Sequence, residues 1–388
     1  MSTWILVSAS EEEARLLTDA GPRRDFVELA RATGGEVIHA PEGRGRGGLF
    51  RKLFGPHVRQ AWRVAGRISR GDTVFADGEH NGIPLLLFLA MRWRRPRRVT
   101  MLGHLPGKWW KLAALWAGTR LVRDGVLIVH SSVQLERVER WLGGRWEARL
   151  VPYQVDTAFW APGADSPGDN QPLVVAVGSE HRDYETLVDA VRGLPVDVVI
   201  AAGSYWARKT AAAAEIPANV TLITRPLPFA ALRDLYARAT AVVVPVHDVA
   251  NQSGVTTILE AMSMARPVVT SASRGQREYV TGPLVLPDSN LDRGATADRG
   301  PAAWLPRSSA VPADTGLYVG PGDARALREA IRLLVENEGL RLRLGTAARR
   351  SVLRHFTIEH YTEALRAAML GGAEPSTGGV GEPLEGRA

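Results

Sequence analysis

Gln252-Ser253-Gly254-Val255-Thr256-Thr257-Ile258-Leu259-Glu260 gathers an amide, a hydroxyl, a glycine and a carboxylate in one short stretch. Gln252 offers both a donor and an acceptor, which suits a sugar hydroxyl. Ser253-Gly254 reads as an N-cap followed by a position where another group can approach the backbone closely. A helix starting at Val255 would aim unpaired N–H groups and its positive dipole end at a ligand, and the matching ligand is a phosphate. Glu260 lies farther along that helix, where its carboxylate could accept hydrogen bonds from a ribose diol. The chemistry is that of a nucleotide site. An ordinary βαβ unit with a surface glutamate has the same spacing, so the residues alone leave both readings open.

The elements that must position these groups can be read from the pattern around them. Ala241–Val246 is a short β-branched run, suited to a buried parallel strand. Val255, Ile258, Leu259 and Met262 recur at helical spacing, Arg266-Pro267 stops that helix, and Val268–Thr270 starts another strand. Ligands of open α/β sheets sit beyond the carboxyl ends of the strands. The polar residues found there are therefore further candidates. Thr73–Ala76 is followed by the hexad Asp77–Gly82, which reads as a polar loop. Arg97–Leu102 ends at Gly103-His104. Val126–Val129 is a strand followed by His130-Ser131-Ser132, to which no site role is given. Leu173–Val177 leads to Gly178 and Arg182, and Val196–Ala201 to Gly203-Ser204.

These residues resemble the donor-site signature of GT-B glycosyltransferases, especially family four. That signature is a Glu, seven residues, a second Glu followed by Ala-Met, then Pro-Val-Val and a Gly-containing loop ending in Glu. The chain supplies Glu260-Ala261-Met262, Pro267-Val268-Val269 and Gly275 to Glu278, with Gln252 in place of the first acid. Pro152-Tyr153-Gln154-Val155-Asp156 through Phe159 resembles the crossover segment of the family, with Gln154 at its glycine. The resemblance implies transfer of a sugar from a nucleotide diphosphate donor, most readily a UDP-sugar, with retention of configuration and without a metal. It implies that His104 and Gln252 face the donor sugar. Arg182 would hold the diphosphate with Ser253, Gly254 and Val255, Gly203 would lie by the base or ribose, and Glu260 would take the ribose. The lysine that the family places a few residues beyond Arg182 is absent here. The nucleotide sugar is a co-substrate and no cofactor is expected.

The implied fold is α/β, GT-B, two Rossmann-like domains facing across a cleft. The N-terminal, acceptor-side domain is expected over 1–160, a Pro/Gly/Asp-rich linker over 161–172 and the nucleotide-sugar domain over 173–352. C-terminal helices at 353–370 would pack back on the first domain, with a disordered tail at 371–388. Residues 281–314, rich in Pro, Gly, Asp and Arg, read as a long insertion.

A chain of 388 residues holds two such cores, and the absence of cysteine excludes disulfides, thiolate metal sites and cysteine nucleophiles. The N-terminus reads as a first strand rather than a signal peptide, and the longest apolar run, Ile83–Met91, falls short of the ~18 residues a membrane span needs. A cytoplasmic protein is expected, with a peripheral place at the inner membrane surface left open by the charge. Residues 1–160 carry 25 Lys+Arg against 16 Asp+Glu, a net +9, while the remainder carries 23 against 25, a net −2. Nine of the 11 tryptophans fall in the same 160 residues. Basic residues interleaved with tryptophan suit an anionic membrane surface, and the stretch Arg44–Arg98 with Phe50, Phe54 and Trp62 is the candidate. No nucleic-acid motif accompanies the charge, so no nucleic-acid partner is expected. The acceptor (a lipid, polysaccharide or small natural product) is not legible. Two other readings stay open: a UDP-sugar 2-epimerase of the same fold, and a non-catalytic basic module.

Overall fold

The computed structural model describes residues 1–12, 14, 21–41, 55–103, 109–122, 124–142, 146–163, 171–202, 216–276, 278–285 and 314–372. His104, Gly203, Phe50, Phe54, most of 281–314 and the tail beyond Gly372 lie outside them.

The first half alternates strand and helix. Its strands are β1 (Thr3–Val7), β2 (Glu36–His39), β3 (Thr73–Ala76), β4 (Arg98–Leu102), β5 (Gly125–Val129) and β6 (Glu147–Leu150). Its helices are α1 (Asp25–Thr33), α2 (Pro56–Arg67), α3 (Glu79–Met91), α4 (Trp109–Leu121) and α5 (Ser132–Leu142). The strands form one sheet in the order β2-β1-β3-β4-β5-β6, with every pairing parallel. Parallel neighbours require crossovers, and right-handed ones place α2 to α5 on one face and α1 on the other. The packing follows: Leu6, Val74, Met101 and Leu127 share a core with Ala61, Leu86, Leu115 and Val138. Ile5, Phe75, Leu102 and Ile128 share the opposite core with Leu29.

The second half repeats the scheme with β7 (Leu173–Val177), β8 (Asp197–Ala201), β9 (Val220–Ile223), β10 (Ala241–Val244), β11 (Val268–Ser271), β12 (Leu284–Val285) and β13 (Gly316–Val319). The helices are α6 (Tyr184–Val191), α7 (Phe229–Arg238), α8 (Val255–Ser263), α9 (Ala324–Glu336), α10 (Glu338–His355) and α11 (Ile358–Leu370). The sheet order is β12-β13-β11-β10-β7-β8-β9, again all parallel. Helix starts are fixed by side-chain caps: Asp183 accepts from the Thr186 amide, Asp323 from Ala326 and Thr357 from His360. Helix α11 leaves its own half, and its Tyr361, Leu365, Ala368 and Met369 complete the α1 core of the first sheet.

Three expectations are corrected. The hexad Asp77–Gly82 is not a loop, because α3 begins at Glu79. Asp77 accepts from the Asn81 side chain at 2.7 Å, and Gly82 packs so closely on Met101 that a Cβ would meet its sulfur. Helix α8 has Gly254 rather than Ser253 as its N-cap, at φ 95°, while the Ser253 hydroxyl donates to Asn251 Oδ1 at 2.8 Å. The stretch 281–314 is not all insertion, since β12 at its start pairs with β13.

Candidate active site

The carboxyl ends of the two sheets face one another across a cavity of about 700 Å³. One wall comes from the first half, with His130 at the end of β5, Gln134 and Arg137 on α5, and Tyr153 in the crossover. The other wall is Glu180, the loop Asp248–Ser253, the start of α8 and Arg274.

Gln252, Ser253 and Val255 all line this cavity. Gln252 reaches across it, its Nε2 donating to Gln134 Oε1, and that same oxygen accepts from the His130 amide at 3.3 Å. The Val255 N–H is taken by the Gln252 carbonyl at 3.2 Å, which folds the loop tightly before α8. This narrows the phosphate expectation: Val255 shapes the turn, and the N–H groups left to a ligand are the next ones in the first turn. Gly254 is required where it stands. Besides its positive φ, a Cβ there would come within 2.7 Å of both Gln276 Nε2 and Val244 Cγ1.

Arg182 lies under the start of α8 and is buried, with 5% of its surface exposed. Its guanidinium donates to the Val177 carbonyl at 3.0 Å, the Glu180 carbonyl at 2.8 Å and the Thr257 hydroxyl at 3.3 Å. Among the described residues these neutral oxygens, and no carboxylate, are its close partners, and burial lowers its pKa from the ordinary arginine value. No carboxylate is hydrogen-bonded to it among the described residues, Glu180 and Glu260 acting on it through charge alone, and a buried cation beneath a helix N-terminus suits an anion. The 3.4 Å from Arg182 Nη1 to the Cβ position of Gly254 ties the cation to that turn.

Glu260 points inward from α8 and accepts from the Tyr236 hydroxyl at 2.9 Å. Burial pushes its carboxyl up to about 7, against the Tyr236 hydrogen bond and the Arg182 charge, which both lower it. It stays close to the neutral–ionised boundary, where a partner decides its state.

The two halves are held together around the cavity. Glu278 accepts from the Ser132 amide at 2.7 Å and from the Ser132 hydroxyl, capping the start of α5 from the other half. The Tyr279 hydroxyl donates to the His130 carbonyl at 2.9 Å and accepts from the Tyr153 amide at 3.0 Å. Sequence reasoning put no site role on His130, Gln134 or Glu180. The signal was present for His130, a polar residue at a strand's carboxyl end. Gln134 lies on a helix face that carries no such mark.

Residues 171–299 match the family described as Glycosyl transferases group 1. A search of curated proteins finds no match to the sequence. Among solved structures, sucrose-phosphate synthase from Thermosynechococcus elongatus superposes with a TM-score of 0.66 at 16% identity, over 96% of this chain and 98% of that one. The UDP-forming alpha,alpha-trehalose-phosphate synthase of Burkholderia vietnamiensis gives 0.66 at 12% identity, over 96% and 100%. Anabaena Alr3699/HepE, solved with UDP and glucose, gives 0.60 at 14%, over 95% and 99%. The chain thus has the GT-B fold, two parallel-sheet domains facing across a cleft, and carries a domain of the Glycosyl transferases group 1 family over 171–299.

Proposed function

We propose that the chain moves a sugar from a UDP-sugar to an acceptor bound by the first domain, with retention of configuration and no metal. The observation that carries this is Arg182, a buried cation whose hydrogen bonds go to neutral oxygens, beneath a glycine-capped helix at the edge of the inter-domain cavity. A leaving diphosphate develops charge there, and a fixed guanidinium with aligned N–H dipoles stabilises it without reorganising. Glu260 takes the ribose diol, Gln252 a sugar group, and His104 faces the sugar from the first domain. The resemblance to a structure solved with UDP and glucose supports uridine as the base. The excess of basic residues and tryptophan over 1–160 supports work at an anionic membrane surface. Among the described residues no helix is long and apolar enough to cross a membrane.

The test is thermal shift with UDP followed by a hydrolysis screen across nucleotide sugars. UDP should raise the melting temperature, as any native-state ligand does. Glu260→Ala should remove most of that rise. A screen in which no UDP-sugar is turned over, with no UDP shift, overturns the reading.

A further inference from the structure

Helix α4 is apolar on every side, which suits a helix enclosed by protein or lipid. Its inner face is enclosed: Leu115 and Gly118 are buried, and Gly118 lies against Leu86 of α3. Its outer face is bare. Trp109, Ala113, Trp116 and Arg120 follow at helical spacing on the exposed or half-buried side, with Trp109 at 79% and Trp116 at 45% exposure. Trp110 at 52% and Leu121 at 62% widen the stripe. The next helices continue it, with Trp62 on α2 packed edge-on against Phe88 of α3 at 5.1 Å, and Met91 and Trp93 exposed where α3 ends.

The cations are interleaved with these rings. Arg120 sits 3.6 Å from the Trp116 ring, Arg92 3.9 Å from that of Trp62, and Lys111 5.6 Å from that of Trp110. Residues 55–122 carry 12 Lys+Arg (Arg59, 63, 67, 70, 92, 94, 95, 97, 98 and 120, Lys108 and Lys111) against three acids (Asp72, Asp77 and Glu79), a net +9. One of those acids, Asp72, is turned inward onto the Ser2 and Ser69 amides and the Trp4 indole.

From this face we infer a docking surface for an anionic lipid bilayer, with the α4 tryptophan stripe seated among the headgroups and Arg94 and Arg95 on the lipid phosphates. The inference rests on the membrane reading above and deepens it by naming the face. Tryptophan has an apolar ring and a polar N–H, and is most at home at a membrane–water interface. Each cation near an anionic surface adds to the attraction, and salt screens it. The face is a flat helical layer, so a bilayer fits it better than a peptide needing a cleft. In a parallel crossover α4 runs back from the carboxyl side of the sheet, so Trp109 and Trp110 at its start lie on the side where the cavity opens, and Arg94 and Arg95, before β4, on the other. The acceptor is then a saccharide or polar group carried by a lipid.

The experiment is co-sedimentation with vesicles of equal phosphatidylglycerol and phosphatidylcholine, and with phosphatidylcholine alone, at low and high salt. Wild type should pellet with the anionic vesicles at low salt only. Trp109→Ser with Trp116→Ser should weaken that binding by about tenfold or more. Arg94→Glu with Arg95→Glu should abolish it, and both variants should keep the wild-type melting temperature and UDP shift. Wild type that ignores all vesicles overturns the membrane reading and this inference together. Anionic pelleting undiminished in both variants overturns the choice of face alone. Preference for a duplex oligonucleotide, or a dimer that dissociates on Trp109→Ser/Trp116→Ser while vesicles are ignored, overturns it too.

Discussion

Gln252 and Gln134 face one another by their amides, and an amide has a donor and an acceptor end to exchange. A glutamate at 252 would bring a second acceptor to Gln134 Oε1, which already serves the His130 amide. Gln252→Glu should therefore force Gln134 to turn its amide or release the contact. Free of that contact, the carboxylate would bind plain sugar hydroxyls more tightly than an amide does. A donor panel should show preference moving toward ordinary hexoses such as glucose; an unchanged profile would mean that residue 252 does not touch the sugar. At Glu260 the expectation is a pH dependence. The folded chain holds this proton up to about pH 7, while the unfolded chain releases it near the ordinary 4.5. Between those values the native state binds more protons, so the contribution of Glu260 to stability is full below about 4.5 and is lost as pH rises through 7. Glu260→Gln cannot ionise, and should gain on wild type in unfolding free energy from pH 5 to pH 8, by no more than about 3 kcal/mol, read from denaturant unfolding. A ribose diol favours the ionised carboxylate, so the UDP shift should grow over the same range in wild type and stay flat in the variant.

Helix α8 starts at a glycine because the turn before it has no room for a side chain. Gly254→Ala would strain a φ of 95° and push a methyl into Gln276 and Val244. A loss of about 1–3 kcal/mol in denaturant unfolding and a smaller UDP shift are expected. This turn was legible from sequence, since a β-branched run, a Ser-Gly and a helical apolar repeat agree with one another there. The apolar runs Thr73–Ala76 and Leu173–Val177 likewise matched β3 and β7 end to end. The reading failed where chemistry and conformation diverge. Glu79-His80-Asn81-Gly82 has the composition of a loop, yet it is the first turn of α3, because Asn81 bonds back to Asp77 and Gly82 lets the helix close on Met101. Gln134 and Tyr279 were invisible for another reason. Their part in the site depends on how two half-chains dock, and no local periodicity encodes that.

At the scale of the whole molecule, the cavity depends on a clasp of few bonds between the halves. Tyr279→Phe keeps the ring against Phe356 but removes the hydroxyl that serves both His130 and Tyr153. Leaving a buried carbonyl and amide unpaired costs about 1–3 kcal/mol each. The melting temperature should fall while the UDP shift, which the proposed function assigns to the second half, persists. A further consequence follows from α11, which supplies Tyr361, Leu365 and Met369 to the first sheet. A chain emerging from the ribosome makes β1 first and the helix that covers it last. The N-terminal sheet must therefore wait with the face of Ile5, Phe75 and Ile128 covered only in part, by α1, until residues 358–370 have been made, so the order of synthesis is not the order of completion. A nascent chain arrested before residue 358 should keep its first half open to protease and bound by chaperones, while its second half resists. Release of the final helix should then close the first half in one step.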